Sequence, residues 1–147
     1  MHSCLLDTGL KVFLANGTAN QIKYNEQTDV GSVISLITGR LSAEPSERPL
    51  QSLYALRLTL SADTFVLQNN FSSKQHIWLS RTSLISQSLE KLNLEPSCAR
   101  FELRIRYFAH PLKEILHKDR VTFYYLYDQV CSKSSISTAF FIRITKF

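Results

Sequence analysis

The chain has 147 residues, a length that suits one domain with a short attachment, and its 44% hydrophobic, 20% charged and 11% aromatic make-up excludes a wholly disordered chain. Four Gly and four Pro exclude collagen-like and Gly/Pro-rich low-complexity sequence, and no run of about 18 apolar residues is present for a membrane-spanning helix. The net charge of +5 is unevenly placed: residues 1–73 hold five Lys/Arg against six Asp/Glu, and residues 74–147 hold twelve against six.

That asymmetry can mark a surface that meets phosphates or anionic lipid, although a solvated strand and helix face is the more ordinary reading. No block of five like charges occurs, so neither a polybasic tail nor a nucleic-acid partner is expected. The start, Met1 to Asp7, lacks the basic and apolar regions of a secretory signal, so a cytoplasmic location is expected. Cys4, Cys98 and Cys131 are far apart and odd in number, and the four histidines show no HxxxH spacing; reduced thiols and no metal are expected.

In chain order, Leu10 to Tyr24 alternates on either side of Asn16-Gly17, two residues that tolerate positive φ, and reads as a β-hairpin. Thr28 or Asp29 can cap a helix whose Val30, Val33, Ile34, Ile37 and Leu41 share one face. Its β-branched residues make that helix dependent on packing against a sheet. Ser42 to Pro49 reads as a loop. Tyr54 to Leu60 alternates as a strand, and Phe65-Val66-Leu67 reads as a second short strand after a turn at Ser61-Ala62-Asp63. Residues 68–75 are loop-like, and the only Trp follows in His76-Ile77-Trp78-Leu79. Ile85, Leu89 and Leu92 give a short helix. Phe101 to Phe108 is the strongest strand, with Phe101, Leu103, Ile105 and Tyr107 inward and Glu102, Arg104 and Arg106 outward. Pro111–Leu116 and Arg120–Val130 read as a short and a longer helix. The expected fold is α+β: a ubiquitin-like β-grasp with its last strand in mid-sheet, followed by short helices and an irregular tail. Val33, Ile37, Leu56, Leu58, Leu103 and Ile105 are its expected core.

No phosphate-binding loop, dinucleotide fingerprint, nucleophile elbow or kinase catalytic motif is present. Cys98 with His76 or His110 has no local support as a nucleophile–base pair, and a structural thiol accounts for it better. Glu90/Glu95 and Glu114/Asp119 are acid pairs that a solvated helix face explains. No enzyme activity and no cofactor are expected. Arg104 and Arg106, with Lys113, Lys118 and Arg120 close behind, are the candidate protein-binding cations, because guanidinium groups on a rigid strand can grip carboxylate or phosphate. A wet sheet face gives the same pattern.

The run from Phe101 to Val130 resembles the junction between the first and second lobes of a FERM domain. The matching elements are Arg104-Ile105-Arg106-Tyr107 at the end of the last strand, Leu112 to Leu116 as linker helix, Asp119 to Phe123, and Leu126-Tyr127-Asp128-Gln129. Glu102 to Tyr107 and Trp78-Leu79 are similar to focal adhesion kinase, while Val121-Thr122-Phe123 and Tyr125-Leu126-Tyr127 are similar to the FERM-and-PDZ scaffold proteins. The resemblance implies a ubiquitin-like first lobe over residues 8–108, a linker and opening second-lobe helix over 109–130, and an atypical, poorly ordered tail over 131–147. It implies a non-catalytic interaction module of a cytoskeletal or membrane-proximal signalling or scaffold protein, and a fragment or truncated product. Alternatives are the regulatory amino-terminal piece of a focal-adhesion-type tyrosine kinase lacking its catalytic domain, and a Ras-association-like binder of small GTPases through Lys11 and Lys23. Implied partners are cytoplasmic tails, a kinase domain or a small GTPase, with weak anionic membrane contact at the inner face of the plasma membrane or at cell junctions. With Ile144-Thr145-Lys146-Phe147 in last place and no Gly-Gly, a conjugated modifier is not expected. Phe123, Leu126, Tyr127 and Val130 are expected to form an apolar helical face left uncovered by the serine-rich segment after it, so that residues 118–147 exchange amide hydrogens rapidly and self-associate.

Overall fold

A computed structural model of the chain describes residues 9–42, 44, 49–60, 75–95, 99–107 and 111–131. Strands β1 (Gly9–Phe13) and β2 (Ala19–Lys23) pair antiparallel, with Leu10 opposite Ile22. The loop between them closes where the sequence predicts. Gly17 takes φ +87°, which a Cβ disfavours, and Asn16 Oδ1 accepts from the Thr18 N–H at 3.0 Å.

Helix α1 (Val30–Arg40) starts at Asp29, whose Oδ1 accepts from the Ser32 N–H at 2.6 Å; hydrogen bonding from the Ser32 side chain, and then from its backbone N–H, holds the Asp29 carboxyl below its ordinary value. Val30, Val33, Ile34 and Ile37 bury the face that the periodicity marked. The first turn of α1 is also tied to the segment before the next helix, through Val30 N–H to Ser83 O and Gly31 N–H to Arg81 O, both 2.9 Å. A Cβ on Gly31 would stand 3.3 Å from that Arg81 oxygen, so the close approach suits glycine.

A turn of 3₁₀ helix (Gln51–Leu53) leads into β3 (Tyr54–Leu60), followed by β4 (Gln75–Trp78), α2 (Ile85–Lys91) and β5 (Arg100–Ile105). Asn93, at φ 51°, ends the turn after α2 in the left-handed region that Asn tolerates. The sheet order is β2-β1-β5-β3-β4, with β5 parallel to β1 and antiparallel to β3. The last strand therefore runs through the middle with α1 across one face, and the fold is an α+β β-grasp. All six expected core residues are at most 2% exposed.

Helices α3 (Leu112–Lys118) and α4 (Arg120–Cys131) follow. The expectation of an uncovered face on the last helix does not hold for Phe123 and Leu126, which are buried along with Thr122 and Tyr125; Tyr127 is exposed. The physical reason is a set of polar ties to the β-grasp. Tyr125 donates its hydroxyl proton to Leu103 O and accepts from the Ala15 N–H at 3.2 Å. The Gln129 amide takes the Ile105 N–H at 2.8 Å and donates to Ile105 O at 3.0 Å, satisfying both backbone groups of a central-strand terminus. Asp119 is not on a solvated face either. It is 5% exposed, caps α4 through the Thr122 N–H at 3.0 Å, and accepts the Leu50 N–H at 2.8 Å. The Tyr54 hydroxyl, 2.9 Å from Thr122 Oγ1, completes a chain from β3 through Thr122 to that carboxylate. Burial pushes both the Tyr54 and Tyr125 phenols above their usual range, so they act as fixed hydrogen-bonding groups.

Other expectations differ in detail. Tyr107 is 48% exposed rather than inward, because β5 ends at Ile105 and the Arg106 and Tyr107 N–H groups both turn to Leu53 O. Gln75 belongs to β4 rather than to the preceding loop. The Ser61–Asp63 turn, the Phe65–Leu67 strand, Cys4, Cys98, His110 and residues 132–147 lie outside the described residues; Cys131 is the last residue of α4 and half-buried.

Candidate functional site: a basic and aromatic sheet face

The face of the sheet opposite α1 is built by register. Phe13 of β1 lies opposite Glu102 of β5, Glu102 opposite Arg57 of β3, and Arg57 opposite Trp78 of β4. One row across four strands thus reads aromatic, acid, base, aromatic. The neighbouring row places Arg100 opposite Thr59 and Thr59 opposite His76, whose Nδ1 is 3.0 Å from the threonine hydroxyl. Arg104 lies opposite Ala55 on the other side.

Glu102 is the hub. Its Oε2 pairs with Arg57 Nη2 and with Arg104 Nε at 3.4 Å, and its Oε1 takes Arg100 Nε at 3.0 Å. Burial alone would raise the Glu102 carboxyl, but the hydrogen bond and charge of Arg57, with the contributions of Arg100 and Arg104, outweigh it and hold it at about 2. The carboxylate is therefore ionised throughout the physiological range. The rings at the ends of the row carry cations too. The Arg100 guanidinium lies 3.9 Å from the Phe13 centroid with Lys11 Nζ at 5.2 Å, and the Arg106 and Arg57 guanidiniums lie 4.7 and 5.7 Å from the Trp78 centroid. Among the described residues six cations, Lys11, Lys23, Arg57, Arg100, Arg104 and Arg106, share this face with the hub carboxylate.

The candidate cations divide between two places. Glu102 and Arg104 are on the expected side of β5 but are not the free, outward pair that alternation suggested: Glu102 is 8% exposed, and the Arg104 side chain is 13% exposed and bound to it. Long side chains lying over one another cover them. Arg106 is exposed and stacked on Trp78. Lys113 and Lys118 are exposed on α3, and five positions separate them, about 140° around a helix, so they share no single face. No described contact joins them to the sheet cations. Lys11 lies opposite Gln21, above Phe13, while Lys23 pairs with Gly9 at the end of β2. Sequence reasoning missed Phe13, Arg57, Trp78 and Arg100. The signal for Arg57 is a lone arginine between leucines in an apolar strand; the others become visible only once strand register is known.

Beside this face a groove of about 510 Å³ runs between the β1–β2 loop, Arg100, Glu102 and Arg104 of β5, and Asp128 and Cys131 of α4. Among the described residues no three His, Cys, Asp or Glu side chains gather as metal ligands, and no helix is long and apolar enough to cross a membrane.

No family model and no curated protein matches the chain. Solved structures do. The chain is similar to the MyTH4-FERM MF2 domain of Dictyostelium discoideum myosin VII, with TM-score 0.60 and 15% identity over 83% of this chain and 23% of that one. A mutant of the same domain gives TM-score 0.59 at 15% identity, over 83% and 24%. The FERM and C-terminal domain complex of Drosophila Merlin gives 0.53 at 13%, over 83% and 34%. The fold is FERM-like, and the chain spans between 23% and 34% of the length of these structures.

Proposed function

We propose that the chain is a non-catalytic protein-interaction module of the FERM type, a ubiquitin-like lobe carrying the first helix of a second lobe, in a cytoplasmic scaffold or signalling protein close to the cytoskeleton or membrane. The observation that carries this is the junction. Asp119, Tyr125 and Gln129 fasten α4 to the 3₁₀ turn, the β1–β2 loop and the central strand, giving a rigid body whose chemistry faces outward as charge and aromatic surface. The Merlin structure, a complex of a FERM domain with a C-terminal domain, supports a protein as the partner class. The test is binding of the full chain to a panel of labelled peptides from cytoplasmic tails. Saturable binding of some members, lost when the chain is unfolded, is expected; no binding up to millimolar concentration would overturn the proposal.

A further inference from the structure

We infer that the sheet face opposite α1 docks an acidic peptide segment, with Arg106 at the Trp78 end and Arg100 at the Phe13 end as its carboxylate grips. The inference rests on the interaction-module proposal and gives that partner a chemistry.

Three features of this face support it. First, donors exceed acceptors. Glu102 offers two oxygens to three guanidiniums, each with five N–H groups, and no described residue takes the Nη groups of Arg100 or Arg104. Arg57 Nε is buried with no partner, and Arg106 has no carboxylate partner among the described residues. Second, the accessible cations are positioned in advance. Arg100, with a side chain 52% exposed, lies on Phe13, and Arg106 lies on Trp78. Stacking fixes each planar fork before a ligand arrives, which lowers the ordering cost of a bidentate grip on carboxylate. Third, cations are in excess among the described residues: Lys11, Lys23, Arg57, Arg100, Arg104 and Arg106 against Glu102 on the face and Asp128 in the groove beside it.

The same geometry favours a peptide over a lipid surface. The guanidiniums are pinned to rings and to Glu102 on a strand face, whereas membrane contact draws on cations free to reach a fluid, planar layer of headgroups. Arg57 and Arg104 hold the hub carboxylate and serve as positioning residues; Arg100 and Arg106 are the grips.

The experiment titrates the full chain with a fluorescein-labelled hexaglutamate peptide, and separately with vesicles of phosphatidylcholine containing phosphatidylserine. Hexaglutamate should bind, more weakly as salt rises, and Arg100→Gln/Arg106→Gln should weaken it at least about tenfold while a cooperative thermal melt shows that the variant is still folded at the assay temperature. Lys113→Gln/Lys118→Gln should bind as the parent does. Equal binding by the Arg100→Gln/Arg106→Gln variant, loss in the lysine variant instead, or binding to vesicles without binding to hexaglutamate would each overturn the inference. Tail-peptide binding that the Arg100→Gln/Arg106→Gln change leaves intact would remove the acidic-peptide inference while preserving the interaction module. No tail-peptide binding at all would remove the module itself.

Discussion

Alternate residues of the same strands build two faces of one sheet that are held by different physics. Toward α1, side chains such as Leu56, Leu103 and Ile105 meet Val33, Ile34 and Ile37 in contacts without direction. On the other side, Glu102 compensates three guanidiniums through bonds that depend on register. Strand β3 belongs to both: all seven of its residues are buried, so Arg57 is enclosed in a strand whose alternation alone predicts a wet side. An apolar face can lose a methyl group and partly collapse around the gap. A charged row has no such latitude, because one missing partner leaves the others desolvated and unpaired.

The sharpest way to break the comparison is at two adjacent residues of β5. Glu102→Gln should cost about 3–5 kcal/mol in denaturant unfolding, since Arg57 and Arg104 stay enclosed without their carboxylate. Leu103→Ala should cost about 2–5 kcal/mol through the cavity it leaves. The two are separable by pH. The Glu102 carboxyl is depressed from 4.5 to about 2 in the folded chain, so its contribution is complete above pH 4.5 and is lost as pH falls toward 2. The parent and Leu103→Ala should share this acid limb; Glu102→Gln should flatten it. An acid limb of the same size in Glu102→Gln would mean that other carboxylates carry it.

A third prediction concerns the junction that links the faces to α4. Tyr125→Phe keeps the edge-on ring contact with Tyr54, at 5.3 Å, but strands Leu103 O and the Ala15 N–H. It should cost about 1–3 kcal/mol, and hydrogen exchange should rise first at Ala15 and in α4. An unchanged melt would show that the Tyr125 hydroxyl adds nothing to the hold of Asp119, Gln129 and apolar contact on α4.

Most of the apolar face was legible in the sequence, because burial imposes a period that can be counted: Val30, Val33, Ile34 and Ile37 for α1, and Phe101, Leu103 and Ile105 for β5. The Asn16-Gly17 turn and the Asp29 cap were legible for the same kind of local reason. The charged row was not. Phe13, Glu102, Arg57 and Trp78 are far apart in the chain, and only the order β1-β5-β3-β4 sets them in line. The resemblance to a lobe junction located α4 but not its anchorage. Tyr125 and Gln129 sit on a face that hydropathy ranks below Phe123, Leu126 and Val130, and their polar ends are what satisfy the backbone of β1's loop and β5.

The smallest effects lie at two glycines, one at the margin of each face, and they should have opposite signs. Gly17 is in the loop that borders the groove beside the charged face, with φ +87° and nothing within 4 Å of a built Cβ. Space is therefore not at issue, and Gly17→Ala is opposed by backbone strain alone, about 1 kcal/mol destabilising. Gly39 is exposed on α1, the helix that covers the apolar face, with ordinary helical backbone and equally open space. There Ala has the better helix propensity and restricts the unfolded chain, so Gly39→Ala should stabilise by about 0.5 kcal/mol. Paired thermal melts at one pH test the sign difference directly. Two losses would place Gly39 in a conformation that helix propensity does not describe, and two gains would mean that the hairpin loop relaxes out of its left-handed turn without cost to β1 and β2.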